Sequence, residues 1–271
     1  MGMKPVSKTA FYCCGVRMTD AERRRPLCGD NYAKRFMDAE ARAFYELFKS
    51  DKGPAVGNAT RHRVIDDYLR SAIGEDPRLT VITVGAGFDT RPYRLHTGTW
   101  IELDEPAVIT LKNEKLPVAE CKNKLTRIAI DFASERLADK LSPLKTDNAC
   151  IFVFEGVFLY LEQSVIAETL QTLSQLFPNH RLICDLMLRS FVDKHSADLR
   201  DRLALLGARF QLVDDPYAVF AAQHYRATQL ISIASRSAEL MLPRLLRSLA
   251  RALPKDIVDA YQIAVFEPRA S

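Results

Sequence analysis

Apolar residues along this chain fall into two patterns. In residues 79–84, 99–103, 125–130, 149–155 and 181–186 they form short, dense runs rich in Val, Ile, Leu and Phe. Runs of that length between polar stretches read as strands buried on both faces. Elsewhere the period changes. Val165, Ile166, Leu170, Leu173 and Leu176 recur at helical spacing through 163–176, and Pro106 suits the first turn of a helix over 106–116. Residues 66–73 read as the end of a helix feeding the first strand, and 134–141 as a short helix after the third. Strands alternating with helices predict an α/β fold with a parallel, doubly wound sheet.

The flanks are less regular. The pattern predicts a sixth strand at 210–213, a long amphipathic helix over 238–253 kinked near Pro243, and a closing strand at 260–266 ended by Pro268. That strand is expected as an antiparallel partner at the sheet edge. The first 60 residues read as helices and loops over the carboxyl edge of the sheet, with a hinge at 49–58 where Gly53, Pro54 and Gly57 cluster. The expected organisation is a helical cap or lid in 1–60, a Rossmann-like cofactor-binding core in 61–186, a cap insertion around the substrate in 187–250, and a strand completing the sheet in 251–271.

Composition narrows the class. Of 271 residues, 48% are hydrophobic and 27% charged, which suits a soluble globular protein of one large domain, or a domain with a cap. The net charge of +4 includes an Arg23-Arg24-Arg25 run without interleaved aromatics, so it reads as a solvated face and no nucleic-acid partner is expected. No apolar stretch approaches the ~20 residues that span a bilayer. The N-terminus lacks a signal-peptide core, and Met1-Gly2 is followed by Val6 where myristoylation wants Ser or Thr. A cytoplasmic protein without a membrane partner is expected. The six cysteines form no C-x-x-C, and no Cys/His spacing suggests a metal. Oligomeric state stays open.

The chemistry concentrates where the first strand meets Gly85-Ala86-Gly87 and the second ends in Glu102-Leu103-Asp104. Strand, glycine turn and an acid ending the next strand form a layout that holds a nucleoside at the carboxyl edge of an open sheet. A dinucleotide fingerprint wants a third glycine where Thr90 stands. Asp89 also sets a carboxylate where a diphosphate wants bare amides, which is electrostatically costly. A cationic methyl donor suits those acids. An NAD(P)-dependent oxidoreductase is the alternative from another class.

Three motifs together, Gly85 through Leu95, Glu102-Leu103-Asp104-Glu105-Pro106, and Glu155-Gly156-Val157-Phe158-Leu159-Tyr160-Leu161, resemble the leucine carboxyl methyltransferase family. The segment 60–67 resembles its arginine-bearing helix, and 9–17 resembles the branch of tetracenomycin-type polyketide O-methyltransferases. The likeness covers most of 9–161. It implies a class I S-adenosylmethionine methyltransferase: a Rossmann-like, seven-stranded, mostly parallel sheet with the last strand antiparallel, plus a helical cap. By similarity, Gly85 and Gly87 pass beneath the methionine part of S-adenosyl-L-methionine, and Asp104 holds the ribose. Asp131 and Phe132 lie by the adenine, Glu155 lies near the amino-acid part, and Arg61 (preferred) or Arg63 pairs with the carboxylate.

Each residue also has a plainer reading. The glycines suit a tight turn, Asp104 and Asp131 suit helix starts, and Glu155 suits a buried ion pair. Arg61 and Arg63 suit surface bridges, and Tyr160 suits the core as well as a substrate wall. No catalytic dyad is evident. Tyr160 and His224 are the catalytic candidates, with His62 and His195 as further bases for a phenolic acceptor; a carboxylate acceptor needs none. Arg91 and Arg94 offer a carboxylate fork, and Phe11, Tyr12, Phe191 and Phe210 offer aromatic walls. The function expected is S-adenosylmethionine-dependent O-methylation of a small aromatic or polyketide-like carboxylate or hydroxyl, with methylation of a protein's C-terminal leucine as its sibling.

Overall fold

A computed structural model describes residues 3–49, 52–243, 246, 247, 250 and 252–269. In chain order the elements are α1 (Pro5–Ala21), α2 (Ala39–Glu46), α3 (Lys52–Glu75), β1 (Thr80–Val84), α4 (Arg91–Arg94), β2 (Thr99–Asp104), α5 (Pro106–Lys115), β3 (Lys124–Ala129), α6 (Leu137–Leu141) and β4 (Cys150–Phe154). They continue with α7 (Gln163–Leu176), β5 (His180–Met187), α8 (Arg189–His195), α9 (Ala197–Leu205), α10 (Ala218–Ala222), β6 (Tyr225–Ser232), α11 (Ile233–Met241), α12 (Lys255–Val258) and β7 (Tyr261–Pro268).

The strands form one seven-stranded sheet in the order β3-β2-β1-β4-β5-β7-β6. All neighbours are parallel except β7, which runs antiparallel to both β5 and β6. Alternation along the strands sorts side chains to two faces. Ile82, Phe152 and Leu182 pack on one face against Ile166, Leu170 and Leu173 of α7. Val81, Ile151 and Ile183 pack on the other against Ile65, Leu69 and Ile73 of α3. A separate cluster joins the N-terminal helices to the edge of the sheet, where Phe11 and Phe36 sit 4.9 and 4.8 Å from the Phe88 ring.

Five strands fall where the apolar runs predict them, while several other expectations change. The sixth strand is not at 210–213, which has no regular structure, but at Tyr225–Ser232. That strand is the sheet edge and mostly exposed, so its sequence carries no apolar signal. The terminal strand is antiparallel but lies between β5 and β6 and is not the edge. Residues 52–58 of the expected hinge are the start of α3: Pro54 stands in the first turn, where no amide is needed for the helix ladder. Residues 50 and 51 lie outside the described residues. The helix expected over 238–253 begins earlier, at Ile233, and ends at Met241 before Pro243; residues 244, 245, 248, 249 and 251 lie outside the described residues. The segment 187–250 therefore contributes a sheet strand as well as helices, and α3 runs across position 60.

One buried cluster fixes β2 and β3 beneath α5. Glu102, 1% exposed, accepts from Lys112 Nζ at 2.7 Å and Arg127 Nε at 2.9 Å, both nearly solvent-free. Glu102→Gln leaves two buried cations without a counterion. The expected loss is about 3–5 kcal/mol, read as a lowered urea midpoint; an unchanged midpoint would contradict the claim.

Candidate functional site

A cavity of about 1300 Å³ opens at the carboxyl ends of β1, β2 and β4. It lies beside the point where the strand order reverses, between β1 and β4. Its other walls come from α1, the first half of α3, α8, α9 and α11.

The glycine turn forms the floor. Gly85 and Gly87 have φ of +67° and +46°, a region that favours glycine. A Cβ on Gly85 would also stand 2.6 Å from the Val157 side chain. Four of the five amides from Gly85 to Asp89 are committed inside the turn. Gly85 and Ala86 donate to the Leu103 carbonyl at 2.9 and 3.1 Å, Gly87 to Asp104 Oδ2 at 2.5 Å, and Asp89 to the Ala86 carbonyl at 2.9 Å. Asp104 also accepts the Glu105 amide at 2.7 Å and forms no salt bridge with a described residue. Burial pushes its carboxyl up to about 6, against the pull of the two amides.

Behind the floor lies an ionic network. Arg91, 1% exposed, reaches Asp66 at 2.6 Å, Asp89 at 2.7 Å and Glu155 at 2.7 Å. Glu155 also accepts from Arg61 Nε at 3.1 Å. Burial alone would raise the Glu155 carboxyl, but Arg91, His62 and Arg61 hold it well below its ordinary range. Burial lowers the pKa of His62. Its Nδ1 lies 2.8 Å from Arg91 Nη2 and 3.2 Å from Glu155, and its Nε2 lies 2.7 Å from Arg94 Nη2, so both ring nitrogens are engaged inside the network. Arg61 Nη1 donates to Asp185 at 3.0 Å and to the Tyr261 hydroxyl at 3.2 Å, while Nη2 makes, among the described residues, only a 3.9 Å contact to Cys13 Sγ.

Seven of the expected site residues, Arg61, Gly85, Gly87, Asp104, Phe132, Glu155 and Tyr160, meet in this cavity wall. Arg63 does not. It grips Asp67 with Nε at 2.8 and 2.9 Å and donates to the Leu27 carbonyl, on another face of α3. Asp131 stands outside the wall too: its carboxylate takes the Ala133 amide, the Ser134 hydroxyl and Lys4, so the turn-capping reading describes it. His224 lies between α10 and β6 with φ of +59°, at the end of the sheet opposite the cavity and outside its wall. Asp89 does line the cavity, but Arg91 neutralises its charge, so contrary to expectation it sets no free carboxylate against a diphosphate. Arg91 and Arg94 are held by Asp66 and offer no free fork. Of the aromatic walls, Tyr12, Phe191 and Phe210 line the cavity, whereas Phe11 is buried against Phe88.

Lys4, Cys13, Arg17 and Asn58 are wall residues that sequence reasoning missed. Arg17 donates to Asp30 at 2.9 Å and to the Phe88 carbonyl at 2.8 Å, tying α1 to the glycine turn. Lys4 bridges Glu105 and Asp131. Their partners lie far away in sequence, and only the resemblance of 9–17 hinted at this segment.

Comparison with known proteins agrees with this architecture. The family model for leucine carboxyl methyltransferase matches residues 10–174. A Mycobacterium tuberculosis (strain ATCC 25177 / H37Ra) protein named "Putative S-adenosyl-L-methionine-dependent methyltransferase" is 30% identical over 176 residues, covering 58% of this chain and 57% of that relative. The chain therefore spans little more than half the length of that relative. A DUF574 family protein from Streptomyces avermitilis MA-4680 has a TM-score of 0.63 at 11% identity, over 88% of this chain and 95% of the other. Magnesium protoporphyrin IX methyltransferase from Synechocystis PCC 6803, solved with bound SAH, has a TM-score of 0.51 at 12% identity, over 89% and 94%. At such identities the two structures show the fold alone, which is that of the class I S-adenosylmethionine methyltransferases. On the extent of the family match, the chain belongs to the leucine carboxyl methyltransferase family.

Proposed function

We propose that the protein transfers a methyl group from S-adenosyl-L-methionine to an oxygen of a small aromatic or polyketide-like acceptor. One observation carries the choice of cofactor: four of the five amides of the glycine turn are already bonded within the protein. A diphosphate is held by free amides at such a turn and at the start of the following helix. Here the following helix, α4, has only four residues. A ligand that brings donors in place of phosphates suits the wall better, because Asp104 keeps lone pairs for two ribose hydroxyls. Arg61 Nη2, with only its long sulfur contact, suits the donor's carboxylate. The resemblance of 9–17 to the polyketide branch supports the small-molecule acceptor over a protein's C-terminus.

The bound donor supplies a methyl carbon made electrophilic by its sulfonium. What this chain adds is alignment and exclusion of water, together worth ~7–11 kcal/mol when both reactants are fixed. The walls from α1, α8, α9 and α11 provide the enclosure. Arg61, Glu155 and Asp185 fix one another, so the group that meets the methionine end is set before the ligand arrives.

Calorimetry tests the reading. S-adenosylhomocysteine is expected to bind while NAD and NADP give no heat; dinucleotide binding with no response to S-adenosylhomocysteine would sink it. Arg63→Ala is expected to leave that affinity within about twofold, since Arg63 lies outside the wall, whereas Asp104→Asn weakens it about 10- to 100-fold, as expected for lost hydrogen bonds to a charged group.

Asp104→Asn also carries a stability prediction of opposite sign. The folded pKa, about 6, lies above the unfolded value near 3.8. Asp104 therefore favours folding below pH 3.8 relative to neutral pH, and that contribution is lost as pH rises towards 6 and beyond. The Asn variant is expected to be more stable than the wild type at pH 7–8 by about 1–2 kcal/mol, with the difference vanishing near pH 4. Thermal unfolding across that range checks it, and a variant less stable at pH 7.5 would contradict the burial argument.

A further inference from the structure

We infer that Asn58 is a further cofactor-binding residue: with Arg61 it grips the amino-acid end of S-adenosyl-L-methionine, its carboxamide meeting the donor's carboxylate and ammonium together. The inference deepens the methyl-transfer reading and rests on it. Asn58 stands inside α3, three positions before Arg61, so the two side chains share a face of that helix. Both line the cavity. Asparagine is a poor choice for a helix interior, because its side chain competes for backbone hydrogen bonds. At 8% exposure it is also a costly one, since a buried polar group needs partners. The fold supplies few. Asn58 Nδ2 donates to Cys13 Sγ at 3.1 Å, a weak acceptor, and the buried Oδ1 has no hydrogen-bond partner among the described residues. A half-turn of the carboxamide only exchanges which end is left over. Local choices that cost the fold without an evident return mark functional sites.

The neighbours of Asn58 point to the ligand group. Arg61 Nη2 lies 3.9 Å from the same sulfur, so donors from two side chains converge on Cys13 Sγ. Gly156 keeps space beside that guanidinium, since a Cβ there would stand 3.2 Å from Nη2. A carboxylate oxygen is a far stronger acceptor than a thiol sulfur. The bond that Asn58 gives up on turning to such a ligand is therefore a weak one. Arg61 alone is not enough for it: Nε already serves Glu155 at 3.1 Å, and Nη1 serves Asp185 at 3.0 Å. One more carboxylate on that guanidinium needs a further donor, and Asn58 Nδ2 is the one at hand. The ammonium that travels with the carboxylate offsets the added negative charge and needs an acceptor, which Oδ1 offers. A carboxamide carries donor and acceptor on one carbon, so it complements the neighbouring charges of an α-amino acid without adding a charge of its own.

The test uses the full chain and two ligands that differ beyond the sulfur: S-adenosylhomocysteine, and 5′-methylthioadenosine, which lacks the amino-acid end. Calorimetry compares wild type with Asn58→Ala and with Asn58→Leu, which keeps the volume of the side chain and removes its polar atoms. Both variants are expected to bind S-adenosylhomocysteine about 10- to 100-fold more weakly, as for lost hydrogen bonds to charged groups, and methylthioadenosine within about twofold of wild type. Asn58→Leu is further expected to hold or raise the urea midpoint, because it removes a buried oxygen without a partner. Equal weakening of both ligands would assign Asn58 a structural role and overturn the inference. So would unchanged affinity for S-adenosylhomocysteine in the variants, or a wild type that binds the two ligands equally well. Wild-type protein that binds neither ligand would instead bring down the methyl-transfer reading beneath it.

Discussion

The structure depends on the burial of one guanidinium. Arg91 is 1% exposed and touches carboxylates from three parts of the chain: Asp66 on α3, Asp89 in the glycine turn and Glu155 at the end of β4. A charge so far from water is tolerable only with full compensation, and removing one partner of a buried pair costs about 3–5 kcal/mol. Those carboxylates have no better place to go, since each is itself buried or nearly so. The cluster therefore fixes how α3 crosses the sheet, how the turn after β1 closes, and where β4 ends. These are the surfaces that meet in the cavity.

The same network reaches the N-terminal helices. Arg94 joins Asp66 to Thr90, Thr90 donates to Asp30 at 2.7 Å, and Asp30 accepts from Arg17 of α1. Phe88, between these polar residues, carries the aromatic cluster of Phe11 and Phe36. Position and cohesion are thus divided between two kinds of interaction. Aromatic burial supplies most of the favourable energy of the N-terminal layer, because area removed from water is what drives packing. The directional bonds of Arg17 and Asp30 set the angle at which that layer meets the turn, which dispersion alone leaves loose.

How much of this was legible follows the same division. The parallel strands could be read because burial on both faces leaves unbroken apolar runs such as Cys150–Phe154. β6 could not, because an edge strand with one buried residue at its start looks like a loop. The glycine turn, Asp104 and Glu155 were legible as residue types at strand ends. Their electrostatics were not: Asp89 looks in sequence like a free acid beside a ligand, and only the fold brings Arg91 back onto it. Arg61 and Arg63 are two positions apart on one helix, so about 200° separates their directions. Sequence narrows the choice to the pair, while the fold turns only Arg61 toward Glu155.

The acids around the cavity thus belong to two groups with different duties. Glu155 and Asp89 are matched by guanidinium groups and act as framework: their charge is balanced before any ligand enters. Asp104 is equally buried but, among the described residues, bonds only two peptide amides, and burial raises its pKa beyond what those amides and the more distant Lys112 charge offset. A framework acid gains little from a bound ligand, because its hydrogen-bonding capacity is already met. An uncompensated acid gains the most, since a donor-bearing ligand relieves a desolvation penalty that folding left in place. Selectivity at this site therefore resides less in the number of carboxylates than in which one the described residues leave without a salt bridge. That residue stands at the end of β2, directly across the turn whose amides a phosphate would need.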